Sequence, residues 1–185
     1  MNLFLRLILI LSLLSTFACK NNKDEKISVL KEKDLDLQMI DAYSEGLKLL
    51  DEGDGLSAAK KFTEAELLYP QSLWAPRSSL MSAYSYYKQS YYINAIEELK
   101  RFIKIYPNHE RIDYAYYLLG MCYYEQIADE KKDLGSIVDA KKNFNYVINN
   151  FSNSEFALDA RFKLELLGEI LASKEMYLGK YYIDR

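Results

Sequence analysis

The sequence is poor in the residues that build catalytic and metal centres. One histidine, His109, and two cysteines, Cys19 and Cys122, stand among its 185 residues. A single imidazole offers neither a second nitrogen ligand for a metal nor the base of a nucleophilic site assembled from several side chains. His109 follows Pro107 and Asn108 and is predicted to be a turn residue. The sequence therefore predicts no catalytic residue, no metal site and no cofactor.

The chain also lacks a basic surplus. Its 24 Lys and Arg stand against 27 Asp and Glu, a formal net charge of −3, so nothing indicates a surface that neutralises a nucleic-acid backbone. Gly53 and Gly55 form a turn and lack the strand that precedes a phosphate-binding loop. The carboxylates are predicted to lie on solvated helix faces. Glu98, for example, is predicted to form a surface charge pair with Arg101 on the same helix. No nucleic-acid partner is predicted.

Helix breakers are scarce, with seven Gly and three Pro in the chain. Half of the residues are apolar and 28% are charged, a balance typical of a folded chain and not of a disordered one. The length suffices for one domain with its own core. Tyrosine is abundant, at 17 residues against a single Trp. These features predict an all-α protein with much amphipathic aromatic surface.

Residues 1–18 have the layout of a secretory signal peptide. Arg6 supplies a positive charge, and the apolar run over residues 7–14 is shorter than the roughly 20 residues of a membrane-spanning helix. The pair Ala18 and Cys19 resembles the end of a bacterial lipobox, which implies that Cys19 is lipidated and becomes the first residue of the mature chain. An ordinary signal with an incidental cysteine is the alternative.

The segment after Cys19 is charged and polar. Residues 20–36 contain few large apolar side chains and are predicted to be a flexible tether, so that residues 19–37 form a lipidated N-terminus and linker. Cys122, in contrast, lies in an apolar helical run. It is predicted to be a small buried residue without a disulfide partner, because lipidation would occupy Cys19.

From residue 38 onward the sequence repeats the tetratricopeptide pattern. Each repeat has a small residue within its first helix, then Ala, an apolar residue four positions on and another three later, and a closing Pro. The first repeat has Gly46, Ala58, Phe62, Ala65 and Pro70. The second has Ala83, Ala95, Leu99, Phe102 and Pro107. The third has Gly120, Ala140, Phe144 and Val147, with Ser152 in place of the Pro.

The later part of the chain departs from a regular array. Residues 128–136 lengthen the third repeat with charged residues and are predicted to be an enlarged loop between its helices. Residues 156–172 predict another amphipathic helix, and residues 173–185 predict the start of one more. Residues 38–185 are thus predicted to form a right-handed solenoid of tetratricopeptide-like helix pairs, with three repeats and a partial fourth.

Two runs carry a more specific pattern. Residues 101–109, RFIKIYPNH, and residues 113–120, DYAYYLLG, resemble the BamD family of outer-membrane β-barrel assembly lipoproteins. The long loop of the third repeat and the run Lys180-Tyr-Tyr also resemble it, and the likeness covers nearly all of residues 41–185. Because family members carry further repeats, we expect this chain to be a C-terminally shortened member.

The resemblance implies a function. It implies a non-catalytic subunit of the barrel assembly machinery, anchored by lipid in the cell outer membrane and facing the periplasm. The partners it implies are a BamA-like barrel-inserting subunit, other assembly lipoproteins and unfolded outer-membrane proteins. A different repeat lipoprotein, acting as a pilot or a cell-wall-associated scaffold, is the alternative that the fold alone allows.

Binding residues are predicted from the register of the repeats, because first helices line the concave face of such a solenoid. The residues predicted to project onto that face are Tyr43, Leu47, Leu80, Tyr84, Tyr87, Tyr114, Tyr117, Met121 and Tyr124. Tyrosine combines an apolar ring with a hydroxyl that tolerates water, which suits a groove for extended polypeptide. Each ring has packing between helices as its alternative, and that is the prediction for Tyr86, Tyr116 and Tyr123.

Overall fold

The structure is a computed structural model that describes residues 24–127 and 135–184. These residues form seven helices and no strand, which confirms the predicted all-α class for this part of the chain. The helices are α1 (Asp24–Asp51), α2 (Gly55–Leu68), α3 (Trp74–Lys88), α4 (Tyr92–Ile105), α5 (Ile112–Tyr124), α6 (Gly135–Asn150) and α7 (Glu155–Ile183). The chain divides into two units between Leu37 and Gln38, and the packing below concerns the second.

Helix α1 begins earlier than the sequence predicts. Residues 20–36 are predicted to be a flexible tether, yet from Asp24 onward they belong to α1. Lys, Glu and Leu dominate this segment and are strong helix formers, so its charge does not prevent a helix. The signal peptide, the lipidation of Cys19 and residues 20–23 lie outside the described residues and stay predictions.

The helices pack as consecutive pairs. Helix α3 contacts both α2 and α4, and α5 contacts both α4 and α6. Helix α3 also contacts α5, and α5 contacts α7, so the first helices of successive repeats lie side by side, as in stacked repeats. Helix α7 occupies the place of the first helix of a fourth repeat.

The repeat signature marks the core. Gly46 is buried, and the large residues predicted to fill the repeats are fully buried, as are their alanines. These residues are Ala58, Phe62, Ala65, Ala95, Leu99, Phe102, Ala140, Phe144 and Val147. Cys122 is buried, as predicted, and burial raises the pKa of its thiol to about 12.

Within each repeat the small residue of the first helix is matched in size to a residue of the second. The three pairs are Gly46 with Phe62, Ala83 with Leu99 and Gly120 with Phe144. A Cβ atom added to Gly120 would lie 2.7 Å from Cε1 of Phe144, and one added to Gly46 would lie 2.9 Å from Cε1 of Phe62. Ala83 shares a core cluster with the smaller Leu99. Glycine stands where the partner is Phe because a methyl group would overlap the ring.

This size match predicts a rescue. Gly120→Ala overpacks the third repeat and is expected to lower the free energy of unfolding by about 1–3 kcal/mol. Phe144→Leu alone leaves a cavity and also destabilises the fold. The double variant reproduces the Ala83–Leu99 pair, so in urea unfolding its midpoint should exceed that of either single variant. Additive losses would contradict the size match.

The turns within the first two repeats end their first helices in the same way. The N–H of Asp54 donates to the carbonyl of Leu49 at 2.9 Å, and the N–H of Tyr91 donates to that of Tyr86 at 3.0 Å. Such an end needs a left-handed residue just after the helix, which is Gly53 (φ 84°) in one repeat and Ser90 (φ 60°) in the other. The turn predicted at Gly53 therefore falls where the sequence placed it.

Two boundaries near the end differ from the predictions. Helix α6 begins at Gly135, inside the predicted loop of residues 128–136, and residues 128–134 lie outside the described part. The two helices predicted over residues 156–172 and 173–185 are one helix, α7. No proline or turn motif separates them, so the helix continues. None of the helices in the described ranges is long and apolar enough to cross a bilayer.

A buried ion pair joins the first two repeats. Glu66 on α2 is only 4% exposed, and its carboxylate accepts hydrogen bonds from Nη1 and Nη2 of Arg101 on α4 at 2.9 and 2.6 Å. The hydroxyl of Tyr106 donates to the same carboxylate at 2.9 Å. Burial, aided by this bond, raises the pKa of Tyr106 to about 12. The prediction that carboxylates lie on solvated faces is wrong for Glu66, although Arg101 also pairs with Glu98 as predicted.

Candidate polypeptide-binding groove

A cavity of about 400 Å³ opens on the face formed by the first helices. It is lined by Tyr43, Arg77, Leu80, Met81, Tyr84, His109, Glu110, Arg111, Tyr114 and Phe156. Four of the predicted binding residues are among them, from α1, α3 and α5. Helix α7 closes one side with Phe156. We call this cavity the inner groove.

Aromatic pairs flank the inner groove on both sides. In the first repeat the ring of Trp74 packs edge-on against Tyr43, with centroids 5.1 Å apart. In the third, Phe156 stacks on Tyr117 at 5.3 Å. The two pairs occupy equivalent positions, because each Tyr lies three residues before a small residue and each partner lies four after Pro70 or Ser152.

The middle repeat lacks such a pair. At the equivalent positions it has Leu80 in place of the Tyr and Arg111, four residues after Pro107, in place of the second ring. Both side chains line the inner groove. A long flexible Arg does not fill the space that a ring fills in the flanking repeats, and we ascribe the groove to this missing ring.

The walls combine neutral rings with cationic groups. Burial raises the pKa of Tyr114 well above its ordinary value and raises that of Tyr43 as well, so both rings are uncharged at neutral pH. Burial lowers the pKa of His109, where the charge of Glu110 opposes the shift and nearby arginines assist it. A neutral imidazole is therefore expected at pH 7.

The arginines give the groove a net positive charge. Arg77 and Arg111 carry two positive charges against the single carboxylate of Glu110. The Arg77 guanidinium also lies 5.2 Å from the centroid of Trp74, a cation–π contact that positions it at the rim. The groove therefore offers an apolar site for a ring beside donors for a carboxylate.

Three predicted residues of the third repeat, Tyr117, Met121 and Tyr124, do not line the groove. Helix α7 packs across α5, the Tyr117 hydroxyl donates to Asp159 at 2.5 Å, and Lys163 lies 5.1 Å from the ring of Tyr124. Met121 is 7% exposed and belongs to a core cluster. The sequence-based prediction that these residues form a binding surface did not take into account that α7 packs against them.

Two further predicted residues also lie outside the groove. Tyr87 packs against the core and against Tyr92, with ring centroids 5.9 Å apart, and burial raises its pKa to about 12. Leu47 is 40% exposed on α1 but does not line the cavity. The rings predicted to pack between helices do so, since Tyr86 and Tyr123 contact the core and Tyr116 contacts Tyr146.

Six lining residues escaped the prediction from sequence. They are Arg77, Met81, His109, Glu110, Arg111 and Phe156. His109 does lie in a turn, as predicted, where its Nδ1 accepts a hydrogen bond from the N–H of Arg111 at 3.2 Å. Comparing the positions that follow the closing Pro of each repeat would have singled out Arg111. Within residues 24–127 and 135–184, the His, Cys, Asp and Glu side chains form no group suited to a metal ion.

Comparison with known proteins gives a family match. Residues 35–185 match the family model YfiO, described as an outer membrane lipoprotein. A BamD outer membrane protein assembly factor of Caulobacter vibrioides is 35% identical over 91% of this chain and 54% of its own length. That of Rickettsia prowazekii is 33% identical over 90% of this chain and 64% of its own length. The chain thus spans roughly half to two thirds of these relatives.

Solved structures are similar in fold. The first tetratricopeptide domain of human RPAP3 aligns with a TM-score of 0.56 at 19% identity, over 75% of this chain and 95% of that domain. The tetratricopeptide domain of a putative FK506-binding protein of Plasmodium falciparum aligns with a TM-score of 0.55 at 19% identity, over 78% of this chain and 95% of that one. These matches confirm the tetratricopeptide-like fold.

Proposed function

Because the chain belongs to the outer membrane lipoprotein family YfiO, we propose that it is a non-catalytic subunit of outer-membrane protein assembly. Its work is binding, and the inner groove takes an extended segment of an unfolded outer-membrane protein. The missing ring of the middle repeat is the observation that carries this proposal. An aromatic side chain of the bound polypeptide supplies the ring that the middle repeat lacks, between the aromatic pairs Tyr43–Trp74 and Phe156–Tyr117 on either side.

The chemistry of the groove favours a particular segment. Strands of membrane barrels carry aromatic residues at the membrane interfaces, so an unfolded barrel protein supplies many rings. A carboxylate near the ring, from an acidic side chain or the chain terminus, pairs with Arg77 or Arg111. Backbone polar groups of the same segment remain accessible to water, because the groove is open.

Attachment and partners belong to the same proposal. Lipid on Cys19 holds the chain at the outer membrane with its repeats in the periplasm. A BamA-like subunit and other assembly lipoproteins, which the family resemblance implies, are the proposed neighbours; the relatives themselves are named outer membrane protein assembly factors.

Crosslinking in intact cells tests this proposal. A photoreactive residue at Tyr84, which lines the groove, is expected to capture unfolded outer-membrane proteins. The same residue at Tyr91, 44% exposed on the connector between α3 and α4, serves as the matched control and should capture far less of them. Equal capture at both positions, or none at Tyr84, would contradict the proposal.

A further inference from the structure

An exposed apolar pair stands at the start of α3. The side chain of Leu73 is 94% exposed, and that of Trp74 is 39% exposed. The Trp74 ring contacts both the ring of Tyr43 and the Arg77 guanidinium. Ile40, one turn before Tyr43 on α1, is also 47% exposed. We call the exposed pair of Leu73 and Trp74 the Leu73–Trp74 tip.

The repeat fold does not require the tip. At the positions equivalent to Leu73, three after the closing residue, the other two connectors have the charged Glu110 and Glu155. Neither Leu73 nor Trp74 lines the inner groove, so the groove does not account for the exposure of Leu73. Among the large apolar residues whose exposure is described, Leu73 is the most exposed, and it stands next to the chain's single Trp.

The charge around the tip is also unusual. Residues 67–96 contain no Asp or Glu, in a chain with 27 of them, while Arg77 and Lys88 are both present. Trp is enriched where hydrocarbon meets lipid headgroups, and Arg beside it reaches the headgroup phosphates. A chain segment without carboxylates is also compatible with anionic lipids.

We propose that the Leu73–Trp74 tip inserts into the interfacial region of the bilayer that carries the chain. The occupant is a phospholipid surface, with Leu73 among the acyl chains and the Trp74 ring at the boundary where these chains meet the headgroups. Membership of an outer membrane lipoprotein family places such a surface within reach. Because so small a wedge binds weakly by itself, it acts as a second contact that orients the repeats on the membrane. This inference concerns orientation and goes beyond the binding of polypeptide.

Fluorescence of Trp74 tests the insertion directly, since the chain has no other Trp. The protein is isolated from cell envelopes and reconstituted into vesicles of phosphatidylethanolamine and phosphatidylglycerol, with or without brominated acyl chains. Bromine quenches only a ring that reaches the acyl region, so we expect Trp74 to lose most of its emission in brominated vesicles.

Matched variants separate the tip from other exposed leucines. Leu73→Asn is expected to reduce the quenching, whereas Leu67→Asn, at a 70% exposed position on α2, leaves it unchanged. Equal emission in both kinds of vesicle, or failure of the chain to float with vesicles, would overturn the inference. A response of Trp74 to added unfolded polypeptide and not to bromine would assign the tip to the groove instead. Crosslinking at Tyr84 needs no lipid contact, so the two proposals can fail separately.

Discussion

Arg101→Met is expected to lower the free energy of unfolding by about 3 kcal/mol. The change leaves the carboxylate of Glu66, on a side chain only 5% exposed, without its two guanidinium hydrogen bonds. Removing one partner of a buried pair strands the other charge, and the cost is typically about 3–5 kcal/mol. We place it at the lower end because the Arg101 side chain is 34% exposed, which lets water reach the site.

Two further variants make this prediction specific, each measured by urea unfolding. Glu98→Gln removes only the more exposed partner of Arg101 and should cost no more than about 1 kcal/mol. Combining Glu66→Leu with Arg101→Met replaces the buried pair by apolar groups and should recover most of the loss. A loss for Arg101→Met no larger than that for Glu98→Gln would show that the buried pair contributes little.

Arg111→Phe is expected to weaken binding of an unfolded outer-membrane polypeptide by about tenfold or more. The new ring occupies the space that we assign to the visiting ring, and burying a Phe side chain contributes about 1.5–3 kcal/mol. The variant should fold, because Phe156 and Trp74 occupy the equivalent positions of the neighbouring repeats. Titration of a labelled, unfolded outer-membrane protein measures the affinity.

A control variant separates the effect of filling the groove from the effect of removing the positive charge. Arg111→Gln removes the positive charge but leaves the space open, so it should weaken binding less than Arg111→Phe and should do so mainly at low salt. Should the two variants bind equally weakly, the role of Arg111 is electrostatic and the missing ring does not explain the groove.

The spacing of the signature residues was enough to predict the core of each repeat, because every helix pair buries the same positions of the tetratricopeptide pattern. The pair of Glu66 and Arg101 could not be predicted in this way, since it joins residues 35 positions apart in the chain. The prediction that Met121 lies on the binding face was wrong for a related reason, because the burial of Met121 depends on where α7 lies. Predicting contacts between repeats requires knowing how whole helices align with one another, and the pattern within one repeat does not give this information.

The sequence predicted some of the residues that line the groove but not the cavity itself. Tyr43, Tyr84 and Tyr114 follow from the position of first helices in a solenoid, and the structure brings them together. The cavity itself depends on a residue that one repeat lacks and its neighbours have. Such a feature becomes visible only when the connectors are aligned with one another and Arg111 is compared with its aromatic equivalents.

The central claim is that a ring from a bound polypeptide fills the place of the missing ring. The most direct measurement is the affinity of two extended peptides, one with Phe and one with Ala at a single position, for the unmodified protein and for Arg111→Phe. We predict that the unmodified protein prefers the Phe peptide by about tenfold and that Arg111→Phe loses this preference. An equal preference in both proteins would contradict the claim.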